Sequence, residues 1–186
     1  MRPIGKAVGR IGISANTITV LGVLIQAVAA WRIVEGALVQ AALLGLASAI
    51  ADVLDGAVAK ARGTAGRFGA LLDSTTDRLS DALFFIPIAW LYAVDPDVAR
   101  HHEEWVAAAS MATLTASFLV SYVKARAEGL GYECNVGIAE RAERVILILL
   151  GLAFDLVPVA IVVLGIASVI TFVQRLLHVR SQVERA

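Results

Sequence analysis

Cysteine is almost missing from this chain. The single Cys134 excludes an intrachain disulfide, and no cysteine or histidine stands near it at ligand spacing. Charge is scarce as well: charged residues make up 17% of the 186 and sum to zero net charge, and nucleic acid is not an expected partner. No cleavable leader is evident, because Met1 to Ile13 carries Arg2, Lys6 and Arg10 interrupted by glycines, without a short apolar core and small-residue cleavage site. Repeats of fixed period and low-complexity segments are also lacking. What is abundant is apolar sequence. Hydrophobic residues reach 59% and the mean hydropathy is +0.78, well above soluble domains, which implies an integral membrane protein of one domain whose insertion rests on its spanning helices.

Within that apolar background one acidic stretch stands out, from Asp52 to Asp77. Two helices joined by the Arg62-Gly63-Thr64-Ala65-Gly66 turn would put Asp52 and Asp55 on one face by i,i+3 spacing, and Asp73 and Asp77 on another by i,i+4. Carboxylates in a membrane setting are costly unless something positive neutralises them. With only carboxylate oxygens on offer, a hard divalent cation is the natural candidate. The competing reading makes these aspartates solvated helix ends, or partners of Lys60, Arg62, Arg67 and Arg78.

Taken in order, residues 1–13 read as a basic amphipathic juxtamembrane segment, with Arg2, Lys6 and Arg10 recurring every four residues, or else as a basic tail. Ser14 or Asn16 would cap a first span over about Thr17 to Val34. Further apolar runs follow from Gly36, from Arg67 to Val94 with a kink or loosened turn expected at Pro87, from Trp105 to Val123, from Val145 to Leu156, and from Val159 to Val173. The fifth is short for a span, so its helix is expected to begin near Ile138. Arg100-His101-His102 with its acidic neighbours reads as a solvated connection rather than a metal site. The resulting architecture is all-α and polytopic: six transmembrane helices in a domain over residues 14–180, preceded by the juxtamembrane helix and followed by a polar tail, 181–186.

Six spans put both termini on one side, together with Lys60, Arg62, Arg67, Lys124, Arg126, Arg141, Arg144 and Arg175. The opposite loops hold Arg32 and Arg100 among Glu35, Asp95, Asp97, Glu103, Glu104 and Asp155. The positive-inside rule then orients the termini and the acidic stretch toward the cytoplasm, in a multi-pass protein of the cell (inner) membrane. Lys124, Arg126, Arg141, Arg144 and Arg175 would form an anion pocket at that boundary, or serve only the orientation bias and anionic headgroups.

The gapped pattern Asp52-x2-Asp55-Gly56-x2-Ala59-Lys60-x8-Gly69-x3-Asp73-x3-Asp77 resembles the signature of the CDP-alcohol phosphotransferase family, Asp-x2-Asp-Gly-x2-Ala-Arg-x8-Gly-x3-Asp-x3-Asp, at seven of its eight fixed positions. Lys60 replaces the usual Arg, keeping the charge but losing the planar fork that pairs bidentately with phosphate, and Arg62 is placed to compensate. The resemblance implies that Asp52, Asp55 and Asp73 hold Mg2+ or Mn2+, as two ions, and that Asp77 is the catalytic base and can also touch a metal. It further implies that Asn16, Thr19, Asp52, Gly56, Ala59, Lys60 and Gly69 lie at the nucleotide. Gly56 and Ala59 share the face of Asp52, where small side chains would admit a flat cytosine ring or, alternatively, a close-packed helix.

Ser121-Tyr122-x-Lys124-Ala125-Arg126, followed by Glu140-Arg141-x-Glu143-Arg144, is similar to the branch of that family that makes phosphatidylinositol phosphate in bacteria. There the corresponding residues, here Ser121, Lys124, Arg126, Arg141, Arg144 and Arg175, hold the acceptor phosphate. The reaction so implied moves the phosphatidyl group of CDP-diacylglycerol onto inositol 1-phosphate, or another phosphorylated polyol, and releases CMP. Membrane lipid and a second copy of the chain, as a homodimer, are the other implied partners. Two alternatives stand beside it: phosphatidylglycerophosphate synthesis from glycerol 3-phosphate, and, in a different class, a cation transporter. The transporter would place its acids near the bilayer midplane on paired broken helices. A structural scaffold gives the acids no purpose.

Overall fold

Ser14 opens the first helix by accepting the Thr17 N–H on its Oγ at 3.1 Å, so it, rather than Asn16, is the cap. The computed structural model describes residues 14–63, 66–95 and 103–185, and all regular structure among them is helical. The six helices are α1 (Ala15–Val34), α2 (Leu38–Arg62), α3 (Arg67–Val94), α4 (Trp105–Gly129), α5 (Arg141–Ala153) and α6 (Val157–Val183). The expected juxtamembrane helix and the Arg100-His101-His102 connection lie outside the described residues.

The chain divides into two units, Met1–Phe84 and Phe85–Ala186. In the first, α1 turns a stripe of Ile18, Thr19, Gly22, Gln26, Ala29 and Ile33 inward at helical spacing, and α2 packs along it. Small residues set the closeness of that pair. A Cβ on Gly22 would stand 3.3 Å from the Ala51 Cβ, and Ser48 Oγ donates to the Gly22 carbonyl at 2.9 Å. Gly63 ends α2 in the left-handed region, φ 64°, where only glycine avoids a Cβ penalty.

In the second unit α4 packs on α6, and α5 packs on α6. Thr113 Oγ1 donates to the Ile161 carbonyl at 3.4 Å across α4 and α6, while a Cβ on Gly151 would lie 2.6 Å from the Ala160 Cβ across α5 and α6. Helix α3 is continuous through Pro87, and Ser110 of α4 donates to the Phe85 carbonyl at 2.9 Å in the turn that the proline loosens. Helix α5 begins at Arg141 rather than near Ile138. The backbone N–H groups of Ile138 and Ala139 bind the Thr171 hydroxyl of α6 instead of entering a helix, which leaves α5 with 13 residues.

Among the described residues four helices, α1, α2, α4 and α6, are long and apolar enough to cross a membrane, with mean hydropathies of 1.8, 1.7, 1.6 and 2.3. Only 33% of the most apolar stretch of α1, α2 and α6 is buried within the chain, so apolar surroundings must cover the rest. The acids and Arg78 in its first half keep α3 out of that set, and α5, about 20 Å long, is too short for a hydrocarbon layer of about 30 Å.

Candidate active site

The acidic site is assembled in the first unit by α1, α2 and the start of α3. Asp52 and Asp55 share a face of α2, and Asp73 comes from the second turn of α3. One carboxylate oxygen from each lies within 4.8 Å of the other two. Asp55 is buried, Asp52 half-buried and Asp73 exposed, so the group opens at one side. Three anionic oxygens so close repel one another unless a cation sits among them, and an oxygen-only donor set suits a hard divalent ion. The residues therefore fit the metal that the sequence led us to expect.

Asp55 is further fixed from α1. Thr19 Oγ1 donates to Asp55 Oδ2 at 2.5 Å, and lies 3.1 Å from the Ala15 carbonyl of its own helix. Both partners are buried, with 9% of Thr19 and 5% of Asp55 exposed, so the carboxylate is oriented without help from water. Outer partners of this kind hold a ligating carboxylate in the geometry a metal needs. The family resemblance implies a place at the nucleotide for Thr19; in the structure its hydroxyl meets Asp55, a metal-ligand candidate.

Asp77 stands one turn beyond Asp73 and outside the three-oxygen group, half-buried, with Oδ2 3.5 Å from Arg78 Nη1. That guanidinium nitrogen also donates to the Ser74 carbonyl at 2.7 Å, which ties it to the helix backbone. Gly56 and Gly69 face open space: a Cβ added to either would meet no heavy atom within 4 Å. Among the described residues no packed helix meets Gly56, which leaves room beside Asp52. Asn16 and Lys60 are exposed and Ala59 is half-buried.

The basic residues belong to the second unit. Ser121, Arg144 and Arg175 are buried, Lys124 and Arg141 half-buried, and Arg126 exposed in the last turn of α4. Arg175 donates from Nε to the Val136 carbonyl at 2.9 Å and from Nη1 to the Val120 carbonyl at 2.7 Å, with Nη2 3.7 Å from Glu140 Oε1. Arg144 Nη1 donates to the Ala139 carbonyl at 3.2 Å. Both buried arginines thus grip the segment between α4 and α5. Burial pushes the Cys134 thiol of that segment up, opposed by the positive charge of Arg175 and Lys124 nearby. Sequence reasoning missed the roles of Thr171 and Gln182 on this segment; the one available signal was that Thr171 precedes Arg175 by a helical turn.

Residues 13–175 match the family model for CDP-alcohol phosphatidyltransferase. The archaetidylinositol phosphate synthase of Methanothermobacter thermautotrophicus is 42% identical over 176 residues, covering 91% of this chain and 85% of the relative. Its counterpart from Pyrococcus horikoshii is 37% identical over 182 residues, covering 97% and 91%. Among solved structures, the Mycobacterium tuberculosis phosphatidylinositol phosphate synthase with CDP-DAG bound superposes with a TM-score of 0.85 at 34% identity, covering 96% of this chain and 92% of that one. The same enzyme has been solved with manganese and citrate, TM-score 0.84.

The helical fold and the carboxylate cluster are those of a membrane-embedded transferase, and the chain belongs to the CDP-alcohol phosphatidyltransferase family. Membership selects the transferase over the transporter and the scaffold, and divalent metal binding is consistent with the manganese complex of its relative.

Proposed function

We propose that this protein transfers the phosphatidyl group of CDP-diacylglycerol to inositol 1-phosphate and releases CMP. The observation that carries the reading is the convergence of Asp52, Asp55 and Asp73 with the Thr19 hydroxyl behind Asp55. Asp52, Asp55 and Asp73 would hold two Mg2+ or Mn2+ ions, which when bound neutralise pyrophosphate charge and polarise the phosphorus under attack. Gly56 and Ala59 leave room for the cytidine beside Asp52, with Asn16, Lys60 and Gly69 completing the nucleotide side. Asp77 takes the proton from the acceptor hydroxyl as its oxygen bonds to the lipid-bearing phosphorus; the bond to the CMP oxygen breaks, and CMP leaves with the electron pair. Ser121, Lys124, Arg126, Arg141, Arg144 and Arg175 receive the acceptor phosphate.

Two features favour a phosphorylated acceptor: the set of basic residues in the second unit, and the inositol phosphate synthase names of the relatives. The same relatives differ in the lipid they are named for, archaetidyl or phosphatidyl, so the donor is tested in both forms. The topology belonging to this reading has six spans in a domain over 14–180, an amphipathic segment at 1–13, both termini and the acids on the cytoplasmic face of the cell membrane, and a homodimer. Helix α3, about 42 Å long, can cross with its charged first half at the headgroups, and the distribution of Lys and Arg supports the orientation.

The test is CMP release by purified protein with magnesium, CDP-diacylglycerol or CDP-archaeol, and competing acceptors. Inositol 1-phosphate should outcompete glycerol 3-phosphate and free inositol. Turnover with glycerol 3-phosphate alone would move the assignment to phosphatidylglycerophosphate synthesis.

A further inference from the structure

The segment joining α4 to α5 has no regular structure from Tyr132 to Gly137, yet it is held closely by α6. Three side chains along one face of α6 grip it. Gln182 exchanges both amide bonds with Glu133, accepting its N–H at 3.1 Å and donating to its carbonyl at 2.6 Å. Arg175 donates to the Val136 carbonyl, and Thr171, one turn earlier and fully buried, accepts from the N–H groups of Ile138 at 3.2 Å and Ala139 at 3.0 Å. The main chain comes close enough for this only because residue 137 is glycine. Its φ is +135°, and a Cβ there would stand 2.4 Å from Thr171 Cγ2.

Those two N–H groups lie immediately before Glu140, the N-cap of α5, whose side chain makes no capping bond. The one printed local side-chain tie there is Arg144 Nη1 on the Ala139 carbonyl, and the Thr171 hydroxyl, from a different helix, holds the two N–H groups that this bond leaves open. Arg141 and Arg144 occupy the first turn of α5. Thr171 therefore shares in setting their position along the α5 axis, and a shift of a single ångström in a group that orients a reactant is enough to lower turnover steeply.

We infer that Thr171 is a positioning residue for the anionic acceptor: by holding the N–H groups of Ile138 and Ala139 it shares in setting the start of α5, and with it the arginines that receive a phosphorylated polyol. The inference rests on the reading that Arg141 and Arg144 bind the acceptor phosphate. It makes no demand on the donor or the metal, which separates it from a general effect on folding.

The experiment compares Thr171→Val, which keeps the shape and removes the acceptor oxygen, with Thr171→Ser, which keeps the oxygen. Both are made in the full chain, with KM measured separately for CDP-diacylglycerol and for whichever phosphorylated polyol the wild type uses. Thr171→Val should raise the acceptor KM roughly tenfold and leave the donor KM within about twofold, and Thr171→Ser should restore the acceptor KM. An unchanged acceptor KM, an equal loss for both substrates, or a serine variant as impaired as the valine would overturn the inference. Amide hydrogen exchange on the wild type supplies a check that needs no variant to fold: Ile138 and Ala139 should be protected, and rapid exchange at both would also overturn it. Absence of CMP release from the wild type with every phosphorylated polyol would instead remove the reading on which the inference stands.

Discussion

Replacing Thr19 by valine removes one hydroxyl and keeps the shape of the side chain. That hydroxyl donates to Asp55 Oδ2 at 2.5 Å in a buried setting, so the loss is a hydrogen bond to a charged acceptor, worth about 1.5–3 kcal/mol. Converted at about 1.4 kcal/mol per factor of ten, this corresponds to roughly a 10- to 100-fold weaker hold on a metal ion, the range seen when other outer partners of metal ligands are removed. The assay is CMP release against Mn2+ concentration at saturating donor and acceptor. Thr19→Val should shift half-saturation to higher metal by that factor, with turnover recovering when metal is in excess. An unchanged metal curve would remove Thr19 from the support of the metal, and a raised donor KM that persists at saturating metal would place it against the nucleotide instead.

Asp77→Asn keeps the size of the side chain but cannot accept a proton at pH 7, so turnover should fall at least about 100-fold while binding of Mn2+ and of the CDP-linked donor survives, as followed by calorimetry. Gly56→Ala enters open space in a helix, so thermal unfolding should be unchanged or up to about 1 kcal/mol more favourable to the fold. Its donor KM should nevertheless rise, and an unaltered KM would remove Gly56 from the nucleotide side. Arg126→Ala, on an exposed side chain, should raise the acceptor KM about tenfold with little effect on stability; an equal loss with free inositol as acceptor would point to a different cause.

Much of the acidic site was legible because it is local. The i,i+3 and i,i+4 spacings needed only helical geometry to put carboxylates on shared faces, and three of the four meet from α2 and α3. Asp77, for which the family resemblance implies both a base and a metal contact, lies outside that group. Ser14 was legible for the same reason, as its capping bond reaches only three residues along the chain. What escaped was non-local. The Thr19 to Asp55 bond spans 36 residues, and nothing in either segment marks its partner.

The start of α5 shows the same limit. The length needed for a span points to Ile138, yet the backbone donors there are taken by a hydroxyl 32 and 33 residues further on. Hydropathy counted six apolar runs, but α3 carries too many charges and α5 too few residues to join the four helices that are apolar and long enough to cross by themselves. The charge of Arg175 alone points to a ligand for phosphate. Its burial and its bonds to two carbonyls add a second duty, holding the segment before α5, that charge alone does not reveal.

The most direct measurement is a crystal of the protein grown with Mn2+ and a CDP-linked lipid, with anomalous scattering recorded at the manganese edge. Manganese should be coordinated by oxygens of Asp52, Asp55 and Asp73 at about 2.0–2.3 Å, with pyrophosphate oxygens of the lipid completing the coordination. Manganese bound elsewhere, or a lipid pyrophosphate held by the protein with these three carboxylates turned away, would contradict it.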